Sequence, residues 1–141
     1  MLFGKKKRTI TRLLIVEDEP LVAFDTEHFL RDESFEIVAT VDRVADAMAA
    51  VQAGGIDLML VDVSLADGSG LDVAREAHRL QIPVIFVTGE CPAGAEEVAV
   101  ACLSKPYAQR TLLAAIQAVE AVIEGKAPKR LPSGFRLFEV A

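Results

Sequence analysis

The sequence has 141 residues, of which 52% are hydrophobic, and carries a formal net charge of −6. That length suits one ordinary domain with a real core, which excludes a disordered chain, and no apolar run approaches the length of a membrane span. An acidic balance also tells against binding to a phosphate backbone, so the basic stretch Lys5, Lys6, Lys7 and Arg8 is read as a solvated arm.

Along the chain, short apolar runs alternate with stripes at helical spacing. Leu13-Leu14-Ile15-Val16 is a continuous apolar run stopped by Glu17-Asp18, the signature of a buried strand that ends in acids. Pro20 suits the first turn of a helix that runs through Arg31, and Phe35 to Val41 reads as a second strand. Val44, Ala47, Met48 and Val51 share one helical face, closed by Gly54-Gly55. Leu58-Met59-Leu60-Val61 is a third buried strand, ending at Asp62. Leu71, Ala74 and Ala77 mark the next helix, and Val84-Ile85-Phe86-Val87 a fourth strand ending at Thr88. A fifth strand is expected near Val98 to Leu103, just before Lys105. Leu112, Ala115, Ile116, Val119, Val122 and Ile123 form a last stripe, closed by Gly125.

Strands that are apolar throughout, separated by amphipathic helices, predict a doubly wound α/β domain with a five-stranded parallel sheet. Ligands in such folds sit beyond the carboxyl ends of the strands. Glu17, Asp18, Asp62, Thr88 and Lys105 all fall there. Carboxylates that converge on one rim repel each other unless a cation joins them, and hard oxygen donors in that number suit Mg²⁺. A carboxylate can also act as a nucleophile toward phosphorus, with a hydroxyl and an ammonium to bind the transferring oxygens.

The order Glu17-Asp18, Asp62, Thr88, Lys105-Pro106, spread over five alternating units, resembles the receiver domain of two-component signalling, with the flavodoxin-like fold, over about residues 11–124. The resemblance implies that Asp62 is the phosphoacceptor and that Asp18 and Asp62 bind Mg²⁺ directly. Glu17 would act mostly through water, and the backbone carbonyl of Ser64 would complete the protein ligands. Thr88 would follow the phosphoryl group and Lys105 would pair with it. Ser64 and Glu90 would border the route of attacking water. The phosphodonor would be a sensor histidine kinase or a histidine phosphotransfer protein. His28 and His78 are therefore expected on the surface, and no organic cofactor is implied.

Pro83 to Gly89 is similar to the FATGUY group of stand-alone receivers, in which Gly follows the Thr. Two departures from an ordinary receiver accompany it. Cys102 stands three positions before Lys105, where an aromatic residue is usual, and the nearby Tyr107 is read as packing at the start of the last helix. From Thr88 to Lys105 there are only 105 − 88 = 17 positions, and Pro92 and Gly94 disfavour a helix. The fourth helix is therefore expected to be shortened to about one turn, or missing.

The organisation expected is a basic arm over 1–10, a receiver over 11–124 and a short, partly apolar tail over 125–141. The tail, with Leu131, Phe135, Leu137, Phe138 and Val140, is read as folding back over the sheet or the last helix. The sharper reading is a homodimer formed through that tail or through the shortened fourth-helix region. Cys91 and Cys102 match no zinc or redox spacing and are read as free cytosolic thiols.

The function expected is a stand-alone, cytoplasmic switch or phosphate sink that acts on a downstream protein, with no nucleic-acid or membrane partner, and not an enzyme in the ordinary sense. The alternative is a pseudo-receiver that binds proteins without phosphorylation. A haloacid-dehalogenase-type phosphatase would need an acid two residues after the nucleophile, and Ser64 stands there. No G-x-G-x-x-G follows the first strand, which removes a dinucleotide enzyme.

Overall fold

The computed structural model of the protein describes residues 8–128 and 130–138. Met1–Lys7 of the basic arm and Val140 of the tail lie outside the described residues. The chain runs β1 (Arg12–Val16), α1 (Pro20–Asp32), β2 (Glu36–Val41), α2 (Val44–Ala53), β3 (Leu58–Val61), β4 (Ser64–Leu65), β5 (Gly68–Ser69), α3 (Gly70–Arg79), β6 (Val84–Thr88), a 3₁₀ turn (Ala95–Glu97), β7 (Ala101–Ser104), α4 (Gln109–Ile123) and β8 (Phe135–Leu137).

The central strands β1, β3, β6 and β7 are apolar except at their ends because both faces of the sheet are covered, and their side chains divide by the period of two. Leu13, Ile15, Leu58, Leu60, Ile85 and Val87 join the core with Leu30 of α1 and Leu112, Ile116 and Val119 of α4. Their neighbours Leu14, Val16, Met59, Val61, Val84 and Phe86 join a second core with Ala47 and Val51 of α2 and Val73, Ala74 and Ala77 of α3. The sheet order is β2-β1-β3-β6-β7-β8.

The five parallel strands expected are all present, and the tail folds back over the sheet to add a sixth, β8, antiparallel to β7. Phe135 is buried there, so the ladder gains both main-chain bonds and apolar area. The fifth parallel strand is shorter than expected, since Val98 to Val100 precede it as the exit from the 3₁₀ turn. That turn is what remains of the fourth helix, as the short interval before Lys105 requires.

The arm ends differently from a solvated one at Arg8, whose guanidinium lies 4.0 Å from the centre of the Phe35 ring and donates to the Glu33 carbonyl at 2.6 Å. Cys91 and Cys102 are both free thiols, and among the described residues no helix is long and apolar enough to cross a membrane.

Candidate functional site

Four parallel strands deliver the predicted residues to one rim. The Asp62 N–H donates to the Val16 carbonyl at 2.8 Å, which seats Asp62 beside Glu17 at the ends of β3 and β1. On the other side, the Lys105 N–H donates to the Thr88 carbonyl at 2.8 Å, joining the ends of β7 and β6. Glu17, Asp62 and Thr88 are buried polar residues, an arrangement that interiors tolerate only when partners compensate.

The compensating charge is Lys105. Its ammonium lies 2.8 Å from Glu17 Oε1, 2.7 Å from Glu19 Oε2 and 3.0 Å from Asp62 Oδ2. Burial works against the charged lysine, but the carboxylates of Glu17, Glu19 and Asp62 outweigh it and hold its pKa above the ordinary value. Carboxylate oxygens of Glu17, Asp18 and Asp62 also all lie within 4.8 Å of one another. Burial pushes the Glu17 carboxyl up to about 7, although Lys105 pulls it down. Asp18 is raised too, by burial and then by the charge of Asp62. Three crowded carboxylates share one lysine, and in two of them, Glu17 and Asp18, proton affinity is raised; the cluster still lacks cationic charge, and this donor set fits a hard divalent cation.

The Asp62 loop is locally specified. Ser64 donates its N–H to Asp62 Oδ1 at 3.3 Å. Ser64-Leu65 and Gly68-Ser69 pair as a tiny hairpin, and Ser69 caps α3 by accepting the Leu71 N–H at 3.1 Å. A Cβ at Gly70 would lie 2.1 Å from the Asp62 carbonyl oxygen, so only glycine lets α3 begin this close.

All five sequence-predicted side chains therefore come to one rim, with Ser64 and Glu90 exposed at its border. His28 and His78 are exposed on their helices, and the Tyr107 hydroxyl lies 3.1 Å from Thr26 Oγ1 while its ring packs against the core. Sequence reading missed Glu19. Its signal was weak: an acid at the start of a helix, where the dipole alone explains it.

Residues 13–117 match the family model of the response regulator receiver domain. The chain belongs to that family. Among curated receiver relatives, the sensory transduction protein RegX3 of Mycobacterium bovis is 38% identical over 116 residues, which is 78% of this chain and 51% of that protein. The chain thus spans about half the length of such relatives. The response regulator PhyR from Brucella abortus superposes with a TM-score of 0.71 and 31% identity, covering 84% of this chain and 51% of that one. SdrG from Sphingomonas melonis Fr1 has a TM-score of 0.68 and 36% identity, covering 78% of this chain and 96% of that one. The CheY-like, flavodoxin-type receiver fold is common to them. Receiver domains are signalling modules that bind Mg²⁺ in an acidic pocket and interact with histidine kinases and downstream targets, and this receiver carries such a pocket.

Proposed function

We propose that this receiver takes a phosphoryl group onto Asp62 from a phosphohistidine of a sensor histidine kinase or histidine phosphotransfer protein. The observation that carries the reading is Lys105 ion-paired to Asp62 Oδ2 at 3.0 Å, with carboxylate oxygens of Glu17 and Asp18 within 4.8 Å of those of Asp62.

An Asp62 carboxylate oxygen attacks phosphorus in line, the P–N bond to the donor imidazole breaks, and that ring leaves with a proton. Lys105 already stands against the nucleophile, where its ammonium can exchange a carboxylate for a phosphoryl oxygen. Thr88, on the neighbouring strand end, offers a hydroxyl to another. Glu17, Asp18, Asp62 and the Ser64 carbonyl would hold Mg²⁺, which when bound supplies positive charge to offset that of the phosphoryl oxygens.

Leu21 and Phe24 of α1 are exposed, and a groove of about 400 Å³ that reaches Lys105 is lined by Val22, Thr26 and Tyr107. That surface supports docking of a protein donor rather than diffusion of a small one. Output through a bound protein is the reading we keep for this receiver unit, which matches 96% of the SdrG chain. The tail contributes the strand β8 to the receiver sheet, so Phe135–Leu137 are proposed as part of this domain.

The test is transfer of label from a phosphorylated kinase in Mg²⁺ to wild type and to Asp62→Asn. Label on the wild type alone supports the reading, and its rate of loss separates a sink from a lasting switch. Absence of label with several donors, together with partner binding indifferent to Mg²⁺ and Asp62, would leave a pseudo-receiver instead.

A further inference from the structure

The tail strand is tied to the same backbone that presents Lys105. β8 lies along the outer edge of β7 in the register Ala101↔Leu137, Cys102↔Arg136 and Leu103↔Phe135. Two further bonds flank it: Ser104 N–H to the Gly134 carbonyl, and Phe138 N–H to the Val100 carbonyl, each 2.9 Å. Two rings, three residues apart and so on opposite faces, grip the sheet edge. Phe135 is buried in the core under α1 and α4, and Phe138 in the core under α2 and α3. The second seat is open because the helical part of the connection from β6 to β7 is only a 3₁₀ turn, and its small Ala95 and the following Ala99 are members of that same core.

The upper end of this strap meets the candidate site. Ser104, held by Gly134, is the register partner of Thr88, and the next residue, Lys105, donates its N–H to the Thr88 carbonyl at 2.8 Å. A movement of Thr88 and Lys105 toward a phosphoryl group therefore turns the very peptide that anchors the strap. A three-residue strand at the edge of a sheet is also the part with the fewest bonds to break, and such parts open first.

We propose that residues 133–138 are a strap released from the β7 edge when Asp62 is phosphorylated, baring that edge for an extended strand of a partner protein. The proposal rests on the reading of Asp62 as phosphoacceptor. What the strap covers defines the partner: a row of main-chain donors and acceptors on β7, flanked by one aromatic seat on each face. The complementary segment is an extended peptide with large apolar side chains three positions apart.

The test uses the full chain and two readouts. Amide hydrogen exchange at Ser104 and Phe138 is followed before and after adding Mg²⁺ and beryllofluoride as a phosphoryl mimic, in wild type and Asp62→Asn. Binding of a labelled peptide of sequence Ser-Gly-Phe-Arg-Leu-Phe is measured under the same conditions. The strap predicts that the mimic speeds exchange at both amides and tightens peptide binding, each by about tenfold or more, in wild type only.

Two variants loosen the strap without phosphoryl chemistry: Arg136→Pro, which puts proline inside the strand, and Phe138→Ala, which empties one seat. Either should bind the peptide more tightly than untreated wild type. Mimic-induced changes at other rim amides with Ser104 and Phe138 unmoved would overturn the strap while keeping the receiver. If no rim amide of the wild type responds, the phosphoacceptor reading fails and the trigger with it. Folded variants that ignore the peptide overturn the docking edge.

Discussion

Lys105 sets one positive charge against the carboxylates of Glu17, Glu19 and Asp62, and the imbalance has a consequence at the residue scale. In the unfolded chain Glu17 loses its proton near 4.5, whereas burial in the fold raises that to about 7. Between those values the folded chain binds more protons than the unfolded one, so stability must fall as pH rises. The contribution is complete below the unfolded value and gone once pH has passed the folded one. Urea unfolding from pH 4.5 to 8, in chelator, is expected to show this decline, and Glu17→Gln to flatten it. A variant with the wild-type slope would mean that another group titrates. Glu17, Asp18, Asp62, Thr88 and Lys105 were readable in the sequence because each closes, or directly follows, an apolar strand. Glu19 was not, because its partner is 86 residues away and nothing local says that an exposed carboxylate reaches back over the rim.

At the scale of elements, what the sequence concealed is what depends on pairing rather than on periodicity. The helices and parallel strands announce themselves through periods of 3.6 and two. The Ser64–Ser69 hairpin reads as a loop because each of its strands is a dipeptide. β8 has three residues with Arg136 in the middle, and only the open edge of β7, brought there by the whole fold, turns it into a strand. Gly70 shows how closely such local elements govern the site. Its missing side chain lets α3 start against the Asp62 carbonyl, and an alanine methyl would also meet Val61 Cγ1 at 2.9 Å. Backbone at that distance cannot yield as a side chain would, so Gly70→Ala must push α3 and the Asp62 loop apart. The expected cost is about 1–3 kcal/mol of stability, the usual price of overpacking. Phosphorylation should slow by roughly tenfold or more, since displacement of about an ångström at a reacting group has effects of that size. Thermal melts and label transfer check the two halves separately. Normal transfer in a destabilised variant would show that the loop re-forms without help from α3.

For the molecule as a whole, the doubly wound topology follows from strands apolar on both faces, and its rim follows from the topology. Asp18 leaves β1 and Asp62 leaves β3, strands paired directly in the register Val16↔Val61. The two carboxylates meet only when the sheet is formed. A cation that needs both therefore binds the folded chain and not the unfolded one, and must stabilise it by mass action. At 100 times its dissociation constant Mg²⁺ is expected to add about 2.7 kcal/mol to the unfolding free energy. The gain should be largest above pH 7, where Glu17 has lost its proton, and small near pH 5, where the proton competes for the same cluster. Asp18→Asn and Asp62→Asn should each lose most of it, while Asp57→Asn, an acid at the opposite end of the sheet bonded to the Thr11 and Arg12 amides, should keep it. Denaturant titrations with and without Mg²⁺ at the two pH values measure all of this. An equal gain in Asp62→Asn would move the ion away from the phosphoacceptor, whereas a gain independent of pH would detach it from Glu17 alone.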